Sequence, residues 1–275
     1  MKTFMIQNQD RAIRAKDYAG LVKSRELLVT TIFRTLQGEA PFSGWPAVFL
    51  RMAGCNFGDK APDSACHWCD TSFQFDNGKL YSQDALWDEL YKAKKHPDDI
   101  LVITGGEPTL QKNLLPFIQR LQDQQLFDTV QIETNGTQAA WFKEAQDWDL
   151  RFADSWHADG LFIVMSPKGI YKAGSIPKPS DLALSLSGAL KFVIEADPDS
   201  PHHKVPEWAE QYEGKIYVSP MAVYLKPYQG EVSSVWDATL VDHEKTSKNY
   251  AYAAQYAIEK GYRLSTQTHL FTAIP

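Results

Sequence analysis

The residues with the plainest chemical signature are three cysteines confined to one short stretch: Cys55, ten residues, Cys66, two residues, Cys69, then Asp70 and Thr71 at once. A disulfide scaffold would spread an even number of cysteines along the chain. Three clustered thiols point instead to a metal. They can hold three irons of a cubane cluster and leave the fourth iron open to another ligand. They can equally hold zinc, with His67 or Asp70 supplying the fourth ligand. Packing as small buried apolar residues fits poorly, because Cys66-His67-Trp68-Cys69 lies in a polar stretch entered through Asp59, Lys60 and Asp63. From the cysteines alone, both metal readings stand.

These residues must be positioned by regular elements. Apolar, β-branched runs at Ala47 to Met52, Ile100 to Thr104, Thr129 to Thr134, Leu161 to Ser166, Leu190 to Ile194 and Ile216 to Ser219 read as buried strands. Between them, Ser82 to Lys94 places Leu86, Leu90 and Ala93 on one helical face, and Leu114, Ile118 and Leu121 share another. Asn249 to Lys260, ending at Gly261, reads as a late helix with a glycine stop. Alternating strands and helices imply a parallel sheet with right-handed crossovers. A closed eightfold barrel takes about 250 residues. The stretches around Pro177 to Pro179 and Asp197 to Glu207 carry little regular pattern, so an α/β partial barrel of about six strands, a (β/α)6-type TIM barrel, is expected. Residues 1–28 read as an N-terminal extension and 29–275 as one α/β domain. The pair His202-His203, in a proline-rich loop, is expected at the surface.

Composition narrows the class. With 44% hydrophobic and 23% charged residues, the 275-residue chain is that of an ordinary globular protein. A formal net charge of -6 disfavours a sequence-independent nucleic-acid binder but leaves room for a small anionic ligand. No apolar run approaches the roughly 20 residues of a membrane span. Met1 to Lys23 has no continuous apolar stretch of the kind a signal peptide needs, so the cytoplasm is the expected location.

Thr104-Gly105-Gly106-Glu107-Pro108 ends the second predicted strand, and its two glycines allow close backbone approach. Following a three-cysteine loop by one helix, it resembles the Gly-Gly-Glu-Pro element of radical S-adenosylmethionine (SAM) enzymes. Further segments resemble the 7-carboxy-7-deazaguanine synthase family: Phe33 to Glu39, Phe49 to Asn56, Cys66 to Thr71, Glu133-Thr134-Asn135-Gly136, Ser166-Pro167-Lys168, Lys191-Phe192-Val193, Ser219-Pro220-Met221 and Gln267-Thr268-His269. They run from residue 33 to the C-terminus.

The resemblance implies a radical SAM fold and conversion of 6-carboxy-5,6,7,8-tetrahydropterin to 7-carboxy-7-deazaguanine with loss of ammonia, in queuosine or other 7-deazapurine biosynthesis. It implies a 4Fe-4S cluster on Cys55, Cys66 and Cys69, and SAM surrounded by Trp68, Cys69, Asp70, Gly106, Glu107, Ser166, Pro167 and Lys168. Thr71 would ligate Mg2+. The substrate would meet Leu36, Gln37, Gly38, Glu39, Arg51, Thr104, His269 and the terminal carboxylate of Pro275. A flavodoxin or ferredoxin would supply the electron, and a homodimer is the family-level expectation. No residue is assigned as acid or base.

Two departures accompany the match. The cysteine spacing of ten replaces the usual three, and Leu270 stands where the family tail carries a basic residue after the histidine. Two alternatives remain: an activating enzyme for glycyl-radical proteins, which would not need Arg51, Thr71 or the segment around Gln37, and a zinc-stabilised binding module without catalysis.

Overall fold

The computed structural model describes residues 26–57, 78–153, 159–170, 173–225, 239–272 and 274. In chain order the elements are β1 (Glu26–Leu36), β2 (Pro46–Met52), β3 (Lys79–Ser82), α1 (Gln83–Ala93), β4 (Ile100–Gly105), α2 (Leu114–Asp123), β5 (Thr129–Thr134), α3 (Ala139–Ala145), β6 (Gly160–Met165), α4 (Asp181–Leu186), β7 (Ala189–Ile194), β8 (Lys215–Pro220), α5 (His243–Lys260), β9 (Arg263–Leu264) and α6 (Thr268–Thr272). All six expected strands are present, as β2 and β4 to β8. Among the described residues they form part of a nine-stranded sheet in the order β3-β1-β2-β4-β5-β6-β7-β8-β9.

From β2 to β9 every neighbouring pair is parallel. Strands β1 and β3 add an antiparallel edge, with Phe33 opposite Phe49 and Leu28 opposite Leu80. β3 and β9 each have one neighbour in this order, so the sheet is an open, partial barrel. Its curl is visible in the packing. Ala47 of β2 and Tyr217 of β8, five places apart in the sheet, share one apolar cluster with Phe42.

Alternation along the strands divides the sheet into two faces. Val48, Leu50 and Met52 of β2, Leu101 and Ile103 of β4, Val130 and Ile132 of β5, and Leu190 and Phe192 of β7 join one large core with Phe117 and Phe142 of the covering helices. The opposite, concave face has a smaller cluster: Ala47, Ile100, Val102, Phe162, Val164, Ala189 and Tyr217. Phe42 fills its floor, edge-on to Phe162 at 5.3 Å and to Trp45 at 5.6 Å.

Local signals set the helix ends. The Ser82 hydroxyl caps α1 by accepting from Ala85 N at 3.2 Å, and Asp242 caps α5 through Lys245 N at 3.0 Å. Gly261, at φ 69°, ends α5 in the left-handed conformation that glycine adopts without penalty. α5 therefore spans the expected Asn249 to Lys260 and starts six residues earlier. Arg34 of β1 grips Asp99 through two bonds of 2.8 Å, and Lys95 N and His96 N donate to the same carboxylate. This fastens β1 to the turn that precedes β4. Among the described residues no helix is long and apolar enough to cross a membrane.

Candidate active site

The C-terminal end of β2 and that of β4 lie side by side, with Arg51 in register with Thr104 and Met52 with Gly105. Gly105 has φ +123°, and a Cβ there would fall 2.2 Å from the Met52 carbonyl oxygen. At Gly106 a Cβ would come 1.9 Å from the Gly54 carbonyl oxygen and 3.0 Å from Cβ of Cys55. Gly106 N donates to Met52 O at 3.1 Å and Glu107 N to Gly54 O at 2.6 Å. The two glycines thus let one loop lie backbone-to-backbone on the loop that carries Cys55. Cys55 is half-buried there, and Phe57 N donates to its Sγ at 3.4 Å.

Glu107 is fully buried. Its carboxylate accepts from Thr109 N at 3.0 Å, the Thr109 hydroxyl at 2.5 Å, the Thr134 hydroxyl at 2.7 Å and Asn135 N at 2.6 Å. Burial pushes its pKa up, and these donors pull against that shift. The carboxylate is committed to the protein and joins the loop after β4 to the loop after β5. Asn135 extends the tie, donating to Asn56 Oδ1 at 2.8 Å beside Cys55.

Gln111, also fully buried, completes this corner. Its Oε1 accepts from Leu28 N at 2.9 Å, and its Nε2 donates to Leu28 O at 2.8 Å and Ala53 O at 3.2 Å. A side-chain amide thus acts as a strand partner for Leu28 of β1 and also holds Ala53, two residues before Cys55.

Above the apolar floor the concave face turns polar. Glu133 of β5 collects three donors: Gln37 Nε2 at 3.2 Å, the Thr104 hydroxyl at 3.1 Å and Gln131 Nε2 at 3.0 Å. Gln37 is buried, and its Oε1 accepts from Glu39 N at 3.1 Å. Glu39 in turn pairs with Lys191 of β7, itself buried. The Arg51 guanidinium lies over the Phe33 ring at 4.5 Å, and Phe33 stacks on Phe49 at 5.3 Å. The structure therefore gathers Gln37, Glu39 and Thr104 around one polar patch and places Arg51 in register beside Thr104. Glu133 and Lys191 belong to it as well. Both lie in segments that carry the family resemblance, and a charged residue alternating with apolar neighbours in a buried strand was the signal available for each.

Ser166, Pro167 and Lys168 follow β6. Ser166 N donates to Thr134 O at 2.7 Å, and Lys168 Nζ reaches the Ser166 hydroxyl at 2.8 Å. The C-terminal segment folds back on the turn after β1. Thr268 N donates to Gly38 O at 3.0 Å, and its hydroxyl lies 3.2 Å from that of Ser43. The backbone of His269 is thereby placed in α6, beside Gly38. Leu270 is fully buried, so an apolar side chain suits the position where the family has a basic one. Cys66, Trp68, Cys69, Asp70, Thr71 and Pro275 lie outside the described residues.

The surface expectation is corrected for His202, and His203 is half-buried. His202 is fully buried, and its Nε2 accepts from Gly169 N at 3.3 Å, next to Lys168. His203 stacks on Tyr252 at 4.6 Å, with Nε2 2.9 Å from the tyrosine hydroxyl. The loop packs inward because both rings find partners on other elements, a tertiary effect that proline content does not register.

Residues 50–151 match the radical SAM superfamily. Over 248 residues the chain is 33% identical to the 7-carboxy-7-deazaguanine synthase of Rhodospirillum rubrum, covering 88% of this chain and 90% of that protein. It is 32% identical over 255 residues to the protein of that name from Rickettsia prowazekii, covering 90% and 89%. Among solved structures, that of QueE from Escherichia coli aligns with a TM-score of 0.61 at 21% identity, over 92% of this chain and 99% of that one, which supports the fold. Membership of the superfamily implies a 4Fe-4S cluster and SAM. The chain belongs to the 7-carboxy-7-deazaguanine synthase family of radical SAM enzymes.

Proposed function

We propose that the chain converts 6-carboxy-5,6,7,8-tetrahydropterin to 7-carboxy-7-deazaguanine with loss of ammonia, a step of 7-deazapurine and queuosine biosynthesis. The observation that carries this reading is the polar patch on the concave face, where Gln37 donates to the Glu133 carboxylate and accepts from the backbone N–H of Glu39, above an apolar floor. A flat 2-amino-4-oxo ring offers adjacent N–H donors along one edge and an apolar face, which suits carboxylate acceptors over Phe42 and its neighbours. Arg51, whose guanidinium packs on Phe33, suits the substrate carboxylate as a planar bidentate donor. Leu36, Gly38, Thr104, His269 and the Pro275 carboxylate complete the proposed substrate set.

The residues fit the cofactors the family uses. Cys55 stands half-buried at a strand end with a backbone N–H aimed at its sulfur, and only a glycine at 106 clears its loop. Cys55, Cys66 and Cys69 would hold the cluster, and Trp68, Asp70, Gly106, Ser166, Pro167 and Lys168 would surround SAM. When bound, cluster and SAM supply a one-electron route to breaking the C6–H bond of the pterin. The protein's part is to fix that bond in place and exclude water. Thr71 would give a hydroxyl oxygen to Mg2+ beside the substrate carboxylate, as a hard cation prefers. A flavodoxin or ferredoxin would be the electron donor, and the assembly a homodimer.

Anaerobic reconstitution, then incubation with SAM, dithionite, Mg2+ and the tetrahydropterin, tests the reading by mass spectrometry. Appearance of 7-carboxy-7-deazaguanine is the expected result. Methionine and 5'-deoxyadenosine without that product would overturn the substrate. Thr71→Ala would abolish turnover under this reading but spare an activating enzyme.

A further inference from the structure

We propose that Lys191 is a positioning residue for the pterin: it clamps the Glu39 carboxylate through Oε2 and so sets where Glu39 meets the ring edge. The inference rests on the substrate reading above and names a residue that reading leaves without a role. Lys191 stands in β7 between Leu190 and Phe192, both of which enter the convex core, so its own side chain belongs to the concave face. Only 6% of the residue is exposed. A buried lysine is costly unless an anion compensates it, and Glu39, 152 positions away in sequence, does so.

The backbone around Glu39 gives an independent sign of a constrained position. Ala40 has φ 55°, in the left-handed region that a residue with a Cβ seldom adopts. It is held there by burial and by Ala40 N donating to the Ser265 hydroxyl at 2.7 Å. Local strain of this kind persists when surrounding contacts over-determine the backbone, and it clusters at binding sites. Glu39 immediately precedes the strained residue, and its own N–H is fixed on Gln37, which reaches Glu133. Lys191 thus anchors one end of a chain of contacts, Lys191–Glu39–Gln37–Glu133, that crosses the concave face from β7 to β5. Its charge offsets that of the Glu39 carboxylate. It acts on the pterin through Glu39.

The test compares wild type with Lys191→Met, Lys191→Arg, Glu39→Gln and the double variant Glu39→Gln/Lys191→Met. Anaerobic equilibrium binding of 6-carboxy-5,6,7,8-tetrahydropterin and steady-state KM values are measured for each. Lys191→Met should weaken pterin binding about 10- to 100-fold and leave the KM for SAM unchanged. Lys191→Arg should recover part of the loss. In the Glu39→Gln background the lysine substitution should cost little, since its partner is already gone. Unchanged pterin binding in Lys191→Met, or an equal loss with and without Glu39, would overturn the inference while leaving the substrate intact. A wild-type protein that does not bind the pterin would overturn both. If Lys191→Met fails to fold, the double variant, which leaves no unpaired buried charge, still decides the matter against Glu39→Gln alone.

Discussion

The two faces of the sheet are built from the same strands and differ in what they spend their residues on. On the convex face, the alternate residues of β2, β6 and β7 all enter the apolar core, and the covering helices answer with Phe117, Leu121 and Phe142. On the concave face polar side chains break into the apolar alternation. Along β7 the sequence passes from Ala189 in the floor to Lys191, and along β4 from Ile100 and Val102 to Thr104. Within β5, Val130 and Ile132 face one way while Gln131 and Glu133 bond to each other on the other side. The difference separates stability from chemistry. Convex positions repay burial with hydrophobic stabilisation, whereas buried polar groups on the concave face must be satisfied one by one and gain their value from a ligand.

The comparison can be broken at four places. Gly106→Ala should have the largest effect, because its Cβ would come 1.9 Å from the Gly54 carbonyl oxygen and push the Cys55 loop aside. Turnover should fall by about 100-fold or more, with iron and sulfide content reduced in parallel after reconstitution. Glu133→Gln comes next. It removes an acceptor shared by three donors, and kcat/KM for the pterin should fall about 10- to 100-fold with the thermal midpoint nearly unchanged.

On the convex face the expected signs reverse. Phe142→Ala should cost about 3–5 kcal/mol in chemical denaturation and leave the KM for pterin as it is. Asp99→Asn should be milder and visible in its pH dependence. Arg34 and two backbone N–H groups hold the Asp99 carboxyl below the ordinary range. A lowered carboxyl stabilises the fold above its unfolded value, about 3.9, and that contribution is lost as pH falls below it. The variant should therefore flatten the slope of thermal midpoint against pH between about pH 5 and pH 2. Glu107 has the opposite sign, since burial raises its pKa and ionisation opposes folding as pH rises.

What could be read from the chain follows the same division. The six central strands were legible because a strand buried on both sides is a short run of apolar residues, whatever its partners. The edge strands were not. β1 carries Thr30, Thr31, Arg34 and Thr35 among its apolar residues, and β3 and β9 have four and two residues, so their pairing exists only in the folded sheet. The start of α5 had a signal in Asp242, a capping residue, but the helical face that follows it is weakly apolar. In the site, Arg51, Thr104, Gln37 and Glu39 were reached through the family resemblance. Nothing local marked Glu133 as the acceptor that Gln37 and Thr104 share, because its three donors come from β1's exit, β4 and β5 itself. Likewise the burial of His202 depends on Gly169, 33 positions away.

The central claim is that the concave rim binds the pterin while the convex core holds the fold. It is tested most directly by measuring pterin affinity and unfolding free energy together, anaerobically, in wild type, Glu133→Gln and Phe142→Ala. The account predicts lost affinity with stability retained in the first variant and lost stability with affinity retained in the second. Affinity and stability falling together in both variants, or pterin affinity indifferent to Glu133, would contradict it.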